Sequence, residues 1–237
     1  MNIFLITLLT VFAAAIGTVS GFGVSTVMVP VLSLFLPVLD VLIVAGVIHA
    51  FNDLWKMLLF RGGFDRRLLL FFAVPGVVAS FAGASLLAAS GQGALVYLGW
   101  FLIAYVVFLF ADPRFRLPRG DVSAFAGGIL YGASAGFFGI GGEIRAAFLA
   151  AYDLPKATYI FMNGAIGIAI NITRVVAYFY GAPAMNGALL SGLIFYIPAS
   201  FIGAFLGKKI VAHIPQKQFR LVVAAVIFFV ALRFVWG

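Results

Sequence analysis

Long apolar runs separated by short polar stretches make up most of the chain. A helix rising about 1.5 Å per residue needs roughly 20 apolar residues to cross a bilayer core. Six segments reach that length: about 40–60, 68–89, 93–111, 157–180, 186–207 and 218–236. Between them lie Arg61–Arg67, Ser90-Gly91-Gln92, Asp112–Asp121, Gly181–Asn186 and Lys208–Lys217. Two further apolar regions break the pattern. Residues 2–38 are too long for one span, and Gly17–Gly23 divides them into pieces of about 15 residues, each too short to cross. Residues 122–152 have the same defect at Gly136–Gly142.

Composition turns the pattern into a class. The chain is 65% hydrophobic and 9% charged, with a mean hydropathy of +1.19. Soluble domains carry about 45–50% apolar and about 25% charged residues, so a water-soluble globule is excluded and lipid is the solvent for the outer surface. The absence of cysteine excludes disulfides, thiol catalysis and thiolate metal sites. Two histidines (His49, His213) and the single glutamate Glu143 are too few for an ordinary zinc or di-iron site, so no metal or cofactor is expected. The net charge of +8 would suggest nucleic acid on a soluble chain. Here the Lys and Arg residues mark cytoplasmic ends of membrane segments, and no nucleic-acid partner is expected. The start, Met1-Asn2, lacks the basic region of a signal peptide. The expected class is an all-α polytopic membrane protein.

The two broken regions share glycine-rich text: Gly21-Phe22-Gly23-Val24-Ser25-Thr26 and Phe138-Gly139-Ile140-Gly141-Gly142-Glu143. Downstream, Phe51-Asn52 matches Ile170-Asn171, Phe60-Arg61-Gly62 matches Phe179-Tyr180-Gly181, and Pro75 matches Pro198. The chain therefore reads as two homologous halves, 1–111 and 121–237, joined by a cytoplasmic linker, 112–120. If each broken region were a full crossing, the halves would run in the same direction. Lys208, Lys209, Lys217 and Arg220 would then lie opposite Arg61, Arg66, Arg67, Arg114, Arg116 and Arg119, against the positive-inside bias. If each region instead enters and returns on one side, each half has three crossings and the second half is inverted. The basic clusters then share one side, with Arg233 the exception. The expected architecture is two inverted repeats, each a re-entrant broken hairpin plus three transmembrane helices. Loops 61–67, 112–121 and 208–217 are expected to be cytoplasmic and both termini outward.

Non-helical backbone at membrane depth must be buried in protein or line a wet cavity. The two breaks are thus expected to meet near the midplane. Helix starts there offer free amides and a favourable dipole to an anion, which makes Gly23, Ser25, Thr26, Gly139, Gly141 and Gly142 candidate binding positions. The first complete helix carries His49, Asn52, Asp53 and Lys56 at spacings of three and four, on one face. Its counterpart carries Asn163, Asn171 and Arg174. Ionisable residues inside a membrane are costly and face a pathway or a partner. Arg174, Asn171, Asn52, Lys56 and His49 are therefore candidate anion ligands. Lys56 is also explained by snorkelling to its nearby interface, and His49 by packing. Asp53 and His49 are candidates for proton exchange, while Asp53 is equally explained as the counter-charge of Lys56 or Arg174. Arg145 either pairs with Glu143 or faces the substrate path. Gly139-Ile140-Gly141-Gly142 is no dinucleotide loop, since no strand precedes it.

Phe22-Gly23-Val24 followed by Pro30, and Phe138-Gly139-Ile140-Gly141-Gly142 half a chain later, resemble the sulfite exporter TauE/SafE family of membrane permeases. The resemblance extends to the length, the paired halves and the polar first full helix. It differs in Ser25-Thr26, where the family often has further glycines, and in the lack of a proline after the second break. The resemblance implies transport of small sulfur-containing anions such as sulfite, thiosulfate or organosulfonates. The expectation is a secondary transporter, not an enzyme, in the cytoplasmic membrane, with a small anion and the lipid bilayer as its partners. Its rivals are an uncoupled anion channel and a membrane-embedded enzyme or assembly factor.

Overall fold

The computed structural model describes residues 2–60, 62–90, 94–110, 118–181 and 187–210. Within them all regular structure is helical: α1 (Ile3–Ser20), α2 (Ser25–Ser33), α3 (Val38–Leu59), α4 (Arg66–Ser90), α5 (Ala94–Phe110), α6 (Asp121–Phe138), α7 (Gly142–Ala150), α8 (Lys156–Gly181), α9 (Gly187–Ser191) and α10 (Leu193–Ile210). Three of these, α3, α4 and α8, are long and apolar enough to cross a membrane. The segment expected at 186–207 is divided at Gly192 into α9 and α10, and the one at 218–236 lies outside the described residues. Both exposed and buried faces are apolar: Phe4, Leu8 and Phe12 of α1 and Val74, Val78 and Phe81 of α4 point outward. A helix greasy all round belongs in lipid or in a large interior.

The breaks are shorter than Gly17–Gly23 and Gly136–Gly142. α1 runs through Gly17 to Ser20, and α6 through Gly136 to Phe138. The pieces are 18 and 9 residues long in each region, not equal halves. Gly17 and Gly136 are helical because they serve packing: a Cβ on Gly17 would meet the Gly23 and Val24 backbone, and one on Gly136 the Ser80 backbone. The chain turns one step later, at Gly21 (φ 76°) and Gly139 (φ 72°), left-handed positions that favour glycine. A shift of 118 residues carries α1 onto α6, matching Gly21 with Gly139, two residues away from the pairing of Phe22 with Phe138 that the text suggests. After the turn each short helix folds back along its long one. Met28 of α2 returns to Thr10 of α1 (Oγ1–Sδ 3.9 Å). Phe148 of α7 returns to Gly127 of α6, and Tyr152 donates from Oη to the Gly120 carbonyl (2.6 Å) where α6 begins.

α3 and α8 cross antiparallel at the centre, with Gly164 against the Asp53 carbonyl and Gly46 against Val175. α4 runs parallel to α6: Gly128, Gly132 and Gly136 face the backbones of Phe72, Gly76 and Ser80 in turn. α10 runs parallel to α1, with Gly203 on Val11 and Gly207 on Ala15. Glycines four residues apart let these backbones touch where lipid supplies no hydrophobic force between helices. α4 also packs on α8, and α10 on α3. One pole of the bundle is tied by polar contacts. Arg67 bridges Asp121 (2.5 Å), the Gly63 amide donates to Thr158 Oγ1 (3.0 Å), and Lys208 donates to the Leu59 carbonyl (2.9 Å). At the other pole Gly181 sits against Ala88.

Candidate functional site

The helical spacing of His49, Asn52, Asp53 and Lys56 places them on one buried face of α3. Asn163, Asn171 and Arg174 are buried on α8. The α3–α8 crossing and the two breaks bring these faces together. Asp53 is the hub. Its Oδ1 accepts from Lys56 Nζ (2.9 Å) and its Oδ2 from Asn171 Nδ2 (2.9 Å). Arg145 Nη1 lies 3.5 Å from Oδ2, and His49 Nε2 lies 3.7 Å from it. Gly167 leaves the space, since a Cβ there would strike both Arg145 and Asp53. Lys56 is fully buried, so its ammonium does not snorkel. Asp53 thus lies within ion-pair distance of Lys56 and of Arg145.

Arg174 has no contact of this kind with Asp53; its partners are two oxygens and, at 3.5 Å, His49 Nδ1. Nη2 donates to Ser25 Oγ (2.9 Å) and Nη1 to the Ala135 carbonyl (3.1 Å). Ser25 Oγ in turn lies 2.9 Å from His49 Nδ1. One guanidinium therefore ties α8 to both broken regions. Tyr178 of α8 donates from Oη to the carbonyls of Ala135 and Gly136, securing the same turn of α6. Arg145, from α7, donates to Tyr131 Oη (3.0 Å), stacks 4.8 Å over the Tyr131 ring, and reaches the Gly21 carbonyl (3.5 Å). Asn163 Nδ2 donates to that carbonyl as well (3.3 Å).

The two breaks touch. Gly142 lies on the Phe22 carbonyl, where any Cβ would collide. Gly23 (φ 87°) presents its Cα to the Nε2–Cε1 edge of His49, and Gly139 faces Leu42, Val29 and Arg174 Nη1. Gly141 packs on Tyr131 and Ser134 instead. Asn52 donates to Thr18 Oγ1 (3.4 Å). The Thr26 hydroxyl donates to the Phe22 carbonyl (3.1 Å), one turn back.

Three buried cations, Lys56, Arg145 and Arg174, share this region with two buried acidic residues, Asp53 and Glu143. Among the described residues, Nε of Arg145 and Nε of Arg174 have no hydrogen-bond partner. Such an excess of cations favours an anion nearby. Arg145, Tyr131 and Tyr178 are the members of this cluster that spacing alone does not pick out. The signal for Arg145 is its position, three residues beyond a glycine break in an otherwise apolar segment.

Comparison with known families matches residues 6–234, nearly the whole chain, to the family described as Sulfite exporter TauE/SafE. Comparison with curated proteins returns no match.

Proposed function

The chain belongs to the sulfite exporter TauE/SafE family, and on that premise we propose that it is a secondary transporter carrying a small sulfur oxyanion across the cytoplasmic membrane by alternating access. The observation that carries this reading is the buried excess of cations, Lys56, Arg145 and Arg174 against Asp53 and Glu143, where two helix starts meet. Amides and guanidinium forks supply directed donors to an oxyanion, and the cations balance its charge. The anion binds at Arg174, Asn171, Asn52, Lys56 and His49, with Gly23, Ser25, Thr26, Gly139, Gly141 and Gly142 completing the seat.

The repeats are read as inverted, each with its broken hairpin. In support, a shift of 118 residues superposes the α1 and α6 ranges, and the corresponding central helices α3 and α8 run antiparallel. The α4–α6 pair is mirrored by α10–α1. Inverted repeats with broken helices at the midplane let one unit rock against the other around a fixed site. The buried state of the cluster favours a carrier over an open channel.

The test is uptake of sulfite, thiosulfate and sulfoacetate into liposomes holding the purified protein. Saturable, counterflow-competent flux of at least one of them is expected. Conductance far above carrier turnover would replace the carrier by a channel. No movement of any anion under any gradient would leave a membrane-embedded enzyme or assembly factor.

A further inference from the structure

Glu143 opens α7 with its carboxyl group buried, and among the described residues neither oxygen has a hydrogen-bond partner. The contrast with Asp53 is sharp, since both Asp53 oxygens receive donors. Thr26 of α2 lies beside Glu143, its hydroxyl within reach of that carboxyl group as well as of the Phe22 carbonyl. The charged neighbour is Arg145 on the same helix, whose guanidinium turns away to Tyr131, the Gly21 carbonyl and Asp53. Beyond Arg145 stand Asp53 and Lys56 of α3. A buried carboxylate with so few donors is tolerated only while the neighbouring cations are free to balance it, and the neutral acid is favoured once another anion takes them.

The matching position in the other half holds no acid. The shift that carries α1 onto α6 carries Ser25 onto Glu143 and Lys56 onto Arg174. Arg174 reaches Ser25 at the start of α2. The corresponding reach in the other half joins Lys56 to Glu143, yet here Lys56 is held by Asp53.

We propose that Glu143 is the proton-carrying residue of transport, protonated while an anion occupies the buried cations and ionised when the anion leaves. This rests on the transport reading above. On loading, the carboxylate takes a proton from water at the open side. On release, the O–H bond breaks to water at the far side, and the carboxylate replaces the departed anion as balance for Lys56 and Arg145. One proton therefore travels with each anion in the same direction. Asp53, bonded on both oxygens, keeps its charge throughout.

Titration calorimetry in nanodiscs tests this with thiosulfate or sulfoacetate, neither of which titrates near neutrality, in buffers of different ionisation enthalpy. The wild-type protein takes up about one proton per anion bound, and its Kd rises by about tenfold per pH unit on the alkaline side. E143Q binds the same anions with proton uptake near zero and with Kd changing by less than about twofold over that range. E143D, which keeps a carboxyl group, restores uptake. Wild-type proton uptake in E143Q, or anion binding by the wild-type protein with no proton uptake, overturns the assignment. If the wild-type protein binds neither anion nor sulfite, the transport reading itself fails.

Discussion

Replacing Arg174 by lysine keeps the charge and removes the fork. In the structure the guanidinium uses two nitrogens in two directions, 2.9 Å to Ser25 on α2 and 3.1 Å to Ala135 on α6. An ammonium is a point donor that cannot hold both geometries at once, nor meet an oxyanion in two-point contact. Losing one charge-assisted hydrogen bond costs about 1.5–3 kcal/mol, which corresponds to a Kd raised by roughly 10- to 150-fold. Folding survives the change, because the Ala135 carbonyl also accepts from Tyr178 Oη (3.3 Å) and Ser25 stays beside His49. Calorimetric titration of purified Arg174→Lys with thiosulfate reads the shift, with thermal unfolding in parallel as the control for structure. Arg174→Ala, lacking charge as well, purifies as a monodisperse protein and shows no measurable uptake. Wild-type affinity in both variants would refute the reasoning, and Arg174 would then be only the clasp between the two broken regions.

Asp53→Asn leaves Lys56 and Arg145 buried without their carboxylate, a loss of about 3–5 kcal/mol. It lowers yield and thermal stability, and adding Lys56→Met recovers part of both; a single variant as stable as wild type contradicts the counter-charge role. Gly132→Ala drives a methyl group into the Gly76 backbone and destabilises by about 1–3 kcal/mol. Gly187→Ala, with nothing within 4 Å among the described residues, leaves Tm unchanged, and equal Tm values for the two would show that the α4–α6 contact is looser than described. Because the chain has no cysteine, single cysteines report topology cleanly. Cysteines at positions 63 and 119 resist an impermeant reagent applied outside, one at position 90 reacts, and the reverse pattern would invert the orientation.

The membrane class, the extents of α3, α4 and α8, and the two glycine breaks were legible in the sequence, because hydropathy runs and glycine clusters are local signals. So was the shared face of His49, Asn52, Asp53 and Lys56, since three- and four-residue spacing on a helix fixes a face whatever surrounds it. The tertiary structure alone decided which charge meets which. Asp53 takes Lys56 and Arg145 rather than Arg174, the Thr26 hydroxyl meets the Phe22 carbonyl, and Gly17 and Gly136 serve helix contact instead of the turn. Each of these outcomes turns on distances near 3 Å between groups far apart in the chain. In a sequence this apolar, the hydrophobic pattern cannot set those distances, because the faces turned to lipid and to protein are equally greasy. The glycine contacts that bring α4 onto α6 and α3 onto α8 set them, and those contacts exist only once the helices have packed.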